Sequence, residues 1–217
     1  MKKTMKRILA VVLSCVMVML LLVGCGGEQQ KFIGTWECDM DMTELMNKEF
    51  AQDEEMGKYF KAEDFSILMI MTFNEDGTYS MSADDDSVKA AFESLKAMMK
   101  TGLEKYLTDM MAAQGVSMSI DEILALSGTT MDDMLEEALS EDTIDELIED
   151  MVEDGNFAVK DGKLFLSDGK EHTVDENVYQ TYEISGDTLT LLESFGEEDA
   201  DEDDMAALYP LVFKKVK

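Results

Sequence analysis

The chain has 217 residues, of which 48 are acidic and 18 are basic, so its formal net charge is −30 at pH 7. Arg7 is its single arginine, and this balance argues against nucleic-acid binding, which needs cationic side chains to displace counterions. The length is sufficient for one domain with a proper core, and the charge favours solubility or, as a sharper alternative, a basic protein partner.

The N-terminus has the pattern of an export signal. A basic segment precedes an apolar run of 16 residues over 8–23, which is shorter than the roughly 20 residues of a membrane-spanning helix. The run ends in Leu22-Val23-Gly24-Cys25, which resembles the lipobox of bacterial lipoproteins. The resemblance implies cleavage after residue 24, a lipid on Cys25, and anchoring to the extracytoplasmic face of the cell membrane.

Cleavage after residue 24 changes the charge and the cysteine content. It removes 4 of the 18 basic residues and none of the 48 acids, which leaves a charge of −34. Residues 25–31 are polar and glycine-rich and predict a lipidated tether, followed by one domain over 32–217. With Cys15 removed and Cys25 lipidated, Cys38 has no cysteine with which to pair, and we expect it to be a small buried side chain.

Period-two apolar spacing and glycine-containing turns predict an antiparallel β-protein. The clearest hairpin flanks Gly186-Asp187, and similar turns occur at Asp161-Gly162 and over 74–77. Eight strands are expected, over 32–41, 66–73, 77–83, 155–160, 163–167, 178–185, 187–193 and 208–216. Eight antiparallel strands in sequence order predict a closed up-and-down barrel.

The inward positions of this barrel carry bulky residues. They are Phe73, Tyr79, Met81, Phe157 or Ala158, Leu164, Leu166, Tyr182, Leu191 and Phe213. An eight-stranded barrel either is filled by its own side chains or holds one small ligand, and large residues around the ring favour the filled barrel.

Helical periodicity replaces strand periodicity in two places. A helix is predicted over 43–61, with Thr43 as its N-cap. A longer helical insertion is predicted over 87–153, between strands 3 and 4, with N-caps at Ser119 and Thr130. Residues 119–154 contain 14 acids and no base, which excludes a DNA-reading helix-turn-helix.

Several motifs together indicate a family resemblance. They are Gly34-Thr35-Trp36, the turn segment 73–79, the hairpin 182–191 and Phe213-Lys214-Lys215. The chain resembles lipocalin-like bacterial lipoproteins of unknown function, as found in anaerobic Firmicutes. The resemblance implies that Trp36 closes one end of the barrel, with Lys214 or Lys215 in place of the arginine that lipocalins stack on this tryptophan.

Few residues suggest catalysis or metal binding. His172 is the single histidine and lies in a polar segment, so we expect it to be an exposed surface residue. Met40 and Met42 form a weak copper pattern, and the acidic run 197–204 a weak calcium pattern without an EF-hand register. We therefore expect no metal and no cofactor.

The sequence favours a non-enzymatic binding module over two alternatives, a hydrolase that uses a carboxylate pair and a structural envelope protein. The expected ligand is a small apolar molecule or a protein partner. We expect the helices of the insertion to pack over the barrel mouth or over the flank around Leu68 and Ile70. The candidate ligand-binding residues are Trp36, Leu68, Ile70, Met98, Met110 and Met134.

Overall fold

A computed structural model describes residues 27–193 and 207–216, and these residues form a closed eight-stranded antiparallel barrel. Each strand pairs with its neighbours in sequence, and β8 pairs with β1 to close the ring. The strands are β1 (Gly34–Asp41), β2 (Ser66–Phe73), β3 (Thr78–Ala83), β4 (Glu153–Lys160), β5 (Lys163–Leu166), β6 (Gln180–Ser185), β7 (Thr188–Leu191) and β8 (Leu211–Lys215). The predicted fold class is confirmed.

The turns that join the strands show why this sequence forms hairpins. Asp161 and Gly162 both have positive φ, 54° and 74°, as a type I′ turn between twisted antiparallel strands requires. Ser185 pairs with Thr188 across the two-residue turn that contains Gly186. The register of β6 and β7 then places Tyr182 opposite Leu191, on the inner face of the barrel.

The connections divide the barrel into two unlike ends. The short turns 74–77, 161–162 and 186–187 lie at one end, which we call the closed end. The long connections 42–65, 84–152 and 167–179 lie at the other, which we call the mouth. β7 ends and β8 begins at the mouth as well.

The closed end is filled by aromatic side chains. Phe32 is fully buried, and its ring centroid lies 5.3 Å from that of Phe73 and 4.7 Å from that of Tyr182. The Nε1–H of Trp36 donates to the Phe32 carbonyl at 2.6 Å. Lys215 places its Nζ 5.0 Å from the centroid of the Trp36 ring, so it is this lysine that lies over the tryptophan. The single tryptophan therefore lies in the plug at this end.

Residues 27–32 (α1) are helical and lead into this plug, whereas the sequence predicts a tether over 25–31. Burial of Phe32 fixes the chain immediately before β1, and this accounts for the difference. The predicted lipidation site, Cys25, lies outside the described residues. Within the described residues, no helix has both the length and the apolar character needed to span a bilayer.

The first long connection contains two short helices where the sequence predicts one. They are α2 (Thr43–Gln52) and α3 (Met56–Tyr59). The Asp53 carboxylate accepts hydrogen bonds from the amides of Glu55 and Met56, which ends one helix and starts the next. Thr43 is not the N-cap: its hydroxyl accepts from the Phe65 amide at 2.9 Å and so fixes the entry to β2.

The helical insertion lies between β3 and β4, as predicted, and it occupies 84–152 where the sequence predicts 87–153. Its helices are α4 (Asp85–Ala113), α5 (Ile120–Ser127), α6 (Met131–Ala138) and α7 (Glu141–Asp150). α4 starts before residue 87 because Asp84 is its N-cap and accepts from the Ser87 amide. Ser119 and Thr130 cap α5 and α6 as predicted, each in a reciprocal capping box.

The insertion packs on the mouth. Val88 and Ala91 of α4 and Ile144 and Ile148 of α7 form one buried cluster with Ile67 and Ala83. Both barrel residues share the inward register of β2 and β3, at the mouth ends of those strands. Of the two predicted placements, the helices therefore take the mouth, and we call this cluster the helical cover.

Candidate functional site

A cavity of about 600 Å³ opens at the barrel mouth. Its walls come from strands on both sides of the ring and from the segment that follows β5. The expectation of a filled barrel is therefore wrong at this end. The physical reason is the distribution of the bulky residues: aromatic rings concentrate at the closed end, and unbranched methionines lie on the walls nearer the mouth.

The inner wall of the cavity is apolar and rich in methionine. Met40, Met69, Met71 and Met81 come from the adjacent strands β1, β2 and β3. Leu166 on β5 and Leu191 on β7 line the opposite side, and Leu211 and Phe213 lie on β8, next to β1. Met69 also packs against the helical cover, so it marks the boundary between cavity and helices. Methionine has three rotatable bonds and a polarisable sulfur, and it adapts to irregular ligands.

Gln180 and Ser167 are buried polar side chains of the cavity, and the hydroxyl of Ser167 is fully engaged, since it donates to the Gly169 carbonyl and accepts from the Asn156 backbone amide. Gln180 is different. It is 1% exposed, lies at the start of β6 and lines the cavity. Its Nε2 donates to the Tyr209 hydroxyl at 2.8 Å. Its Oε1 is buried and has no hydrogen-bond partner among the described residues. A buried carbonyl normally accepts at least one hydrogen bond, so this atom needs a partner from outside the wall.

The outer rim of the cavity is acidic. Glu153, Asp168 and Asp175 line it, and all three are exposed. The segment that bears the two aspartates is fixed by Asn156, whose side-chain amide donates to the carbonyls of Lys170 and His172, each at 2.9 Å. The rim therefore presents negative charge on an anchored segment.

His172 lies on this rim and is exposed, as predicted. Its Nδ1 is hydrogen-bonded to the backbone carbonyl of Asp168. In a hydrolase triad a carboxylate orients the imidazole, whereas here a backbone carbonyl holds the ring.

Gly155 allows the rim segment to approach the barrel. A Cβ at this position would lie 2.0 Å from the Ser167 carbonyl oxygen and 2.8 Å from a Tyr79 ring carbon, so only glycine fits. The Tyr79 hydroxyl donates to the same carbonyl at 3.2 Å. Burial, and then the carboxylates of Glu153 and Asp168, raise the pKa of Tyr79 to about 12, so the phenol stays protonated to a higher pH than that of an exposed tyrosine.

A second apolar groove of about 550 Å³ lies within the helical layer. Its walls come from α2 and α3 on one side and from α4 on the other, and Met46, Met56 and Met99 contribute to them. It is lined by helical residues and by the segments that join them, and not by the barrel strands.

The structure does not bring the candidate ligand-binding residues together. Trp36 lies in the closed-end plug. Leu68 and Ile70 alternate with the inward residues of β2 and so lie on its outer face, half-buried. None of these three lines either of the two cavities.

The three helical methionines of that prediction also lie apart from both cavities. Met110 and Met134 are 38% and 47% exposed, and Met98 is half-buried on α4. The expected groove between helices and barrel is replaced by the two cavities described above, because the helices contact the barrel through Ile67 and Ala83.

Residue type along the first three strands distinguishes the cavity wall from the closed end. Met40, Met69, Met71 and Met81 occupy inward positions on three consecutive predicted strands. Flexible methionine side chains on one side of the barrel, in place of the aromatic side chains of the closed end, indicate a less tightly packed region. Gln180 carried no such signal, because a single glutamine at a strand start is ordinary.

The two methionines of the weak copper pattern lie in different parts of the structure. Met40 lines the barrel cavity, whereas Met42 packs against the helical cover. Within the described residues, no group of three or more His, Cys, Asp or Glu side chains is arranged to hold a metal ion. The acidic run 197–204 lies outside the described residues. Cys38 is buried, and burial raises the pKa of its thiol.

Comparisons of the chain with protein-family models, with curated proteins and with solved structures find no match.

Proposed function

We propose that this protein is a lipid-anchored, extracytoplasmic binding module that holds a small apolar ligand in the barrel mouth and carries out no catalysis. The observation that carries the proposal is the cavity of about 600 Å³ with apolar walls. Small-molecule sites in proteins typically measure about 300–1,000 Å³ and have mostly apolar linings with a few polar groups. The barrel cavity has both properties.

The walls favour binding of an apolar molecule. Met71, Leu191 and Phe213 are at most 2% exposed, and each lines the cavity. Transfer of apolar ligand surface from water to such walls is favourable by roughly 25 cal/mol per Å². The adaptable methionines on the other wall favour a ligand of irregular shape.

The anchor and the cavity fit one arrangement on the membrane. The Leu22–Cys25 motif supports lipidation of Cys25, and the first described residues after it, 27–32, lead into the closed end. The Gln29 side chain lies 3.8 Å from the Cβ position of Gly77, in one of the closed-end turns. A lipid on Cys25 would therefore hold the closed end toward the membrane, with the mouth facing away.

Native mass spectrometry tests the proposed ligand. We expect protein purified from its own membrane to carry a reproducible small-molecule adduct. Met81→Trp places a bulky ring in the cavity and should abolish the adduct, whereas Met134→Trp adds the same ring at an exposed helical position and should retain it. Protein without an adduct, or an adduct that persists in Met81→Trp, would contradict the proposal.

The anchor has its own test. Cys25→Ser should yield uncleaved or soluble protein that no longer partitions into detergent, because the proposed lipid attaches through this thiol. An unchanged mass and unchanged detergent partitioning would show that Cys25 carries no lipid.

A further inference from the structure

The barrel mouth combines two features that select the same ligand chemistry. One is the buried Oε1 of Gln180, which has no hydrogen-bond partner within the described part of the chain. The other is the acidic rim of Glu153, Asp168 and Asp175. The Gln180 oxygen is an unsatisfied acceptor and favours a ligand that donates hydrogen bonds. The rim carries negative charge and favours a ligand that carries positive charge.

Sequence position brings these features to the same region of the mouth. Gln180 begins β6, and the preceding segment contains Asp168 and Asp175. The Gln180 amide nitrogen is already engaged by the Tyr209 hydroxyl, which orients the carbonyl oxygen of the same group. The methionine wall lies on β1 to β3, across the ring from β6. Polar recognition and apolar burial thus occupy opposite sides of one cavity.

The electrostatics exclude the opposite head group. The described residues that line the cavity include three carboxylates and one histidine, His172, and no lysine. An anionic head group would be repelled by the rim and would place a second acceptor against the Gln180 carbonyl. The strongly acidic chain also attracts cations over longer distances.

We propose that the ligand is an apolar amine: an aliphatic or aromatic body packed on the methionine wall, with a protonated amino group bound between Gln180 Oε1 and the acidic rim. This inference rests on the proposed binding function and specifies its ligand class. An ammonium group donates up to three hydrogen bonds and accepts none, so it complements the carbonyl and the carboxylates together.

Titration calorimetry with three probes of equal chain length tests this ligand class. Decylamine, decanol and decanoate are used below their micelle-forming concentrations with the full-length protein. Decylamine should bind most tightly and decanoate most weakly, with a difference of at least about tenfold, as expected for one hydrogen bond to a charged group. Decanol or decanoate that binds as tightly as decylamine would overturn the inference and leave the binding function standing. If none of the three probes binds, the proposed function itself fails.

Substitutions then locate the amine. Gln180→Leu should weaken decylamine binding about tenfold or more and change decanol binding less. Gln180→Glu keeps the side-chain length and should bind decylamine at least as tightly as the wild type. Asp168→Asn at the rim should weaken decylamine binding, whereas Glu183→Gln, on the exposed outer face of β6, should not. Unchanged decylamine affinity in both Gln180→Leu and Asp168→Asn would refute the proposed amine site.

Discussion

The two ends of the barrel are built from the same eight strands, and yet one is solid and the other hollow. At the closed end, Phe73 lies 4.8 Å from Phe157 and 5.3 Å from Phe32 between ring centroids, in edge-to-face arrangements. Nearer the mouth, four inward positions of β1, β2 and β3 carry methionine, and a cavity of about 600 Å³ is left between the walls. Strand number permits either outcome, and the side chains at each level of the barrel decide between them.

The difference shows how one small barrel separates stability from binding. Interlocked aromatic rings add about 0.5–1.5 kcal/mol per pair beyond their burial. The mouth is less tightly packed, and α4 and α7 cover it only over the ends of β2 and β3. We therefore expect the closed end to dominate the free energy of unfolding and the mouth to dominate ligand affinity.

Truncation at each end should give the largest contrast in stability. Phe73→Ala removes a ring that is 1% exposed and contacts Phe32, Tyr79 and Phe157, and we expect a loss of about 4 kcal/mol. Met81→Ala enlarges a cavity that already exists, and we expect a loss below about 2 kcal/mol. Urea unfolding of the ligand-free protein measures both. Equal losses would show that the mouth is packed as tightly as the closed end.

A methyl group at Gly155 should have the next largest effect on stability, because Gly155 lies where the rim segment, the connection 167–179, meets the barrel. Its Cβ would overlap the Ser167 carbonyl, which is backbone and cannot rotate away. We expect Gly155→Ala to destabilise the fold by about 3 kcal/mol in the same urea measurement. Gly27→Ala is the matched control, since nothing lies within 4 Å of its added methyl. A Gly155→Ala protein as stable as the control would show that the rim segment is not held against β4.

The smallest expected effect is a pH dependence that comes from Tyr79. Its pKa is raised from 10.0 to about 12 in the folded state, so the folded protein retains a proton that the unfolded chain loses. The stabilisation is complete below pH 10 and is lost as the pH rises from about 10 to about 12, with a slope of up to about 1.4 kcal/mol per pH unit.

Tyr79→Phe isolates this contribution. The stability difference between wild type and Tyr79→Phe should be constant at neutral pH and should shrink or reverse over the alkaline range. The difference reflects Tyr79 alone, because other tyrosines and lysines titrate in both proteins. A difference that does not change with pH would indicate that Tyr79 is not buried beside the rim carboxylates.

The strand order of this barrel could be predicted from local sequence, because its determinants are local. Asp161-Gly162 and Gly186-Asp187 specify two-residue turns, and alternation on either side specifies which face is buried. The helix starts at Ser119 and Thr130 follow from N-cap residues, each of which accepts a hydrogen bond from the amide three residues further on. Thr43 shows the limit of such rules, because its hydroxyl bonds to Phe65, which is distant in sequence.

The cavity could not be predicted in this way, because its volume depends on side chains from strands that are far apart in the chain. Met40 and Phe213 face one space only after β8 closes on β1. The polar site at Gln180 is even harder to predict from sequence, because it is recognised by a buried carbonyl oxygen without a hydrogen-bond partner among the described residues. Helical periodicity places Met98, Met110 and Met134 on apolar faces of their helices, but periodicity does not reveal which surface packs against such a face.

The proposed ligand site is the barrel mouth and not the helical groove. The methionines on the walls of the two cavities provide a direct test through ¹³C-methyl labelling and NMR titration with decylamine. We expect the methyl resonances of Met40, Met69, Met71 and Met81 to shift, and those of Met46, Met56 and Met99 to remain unchanged. Shifts confined to Met46, Met56 and Met99 would place binding in the groove between α2, α3 and α4 and would contradict the account.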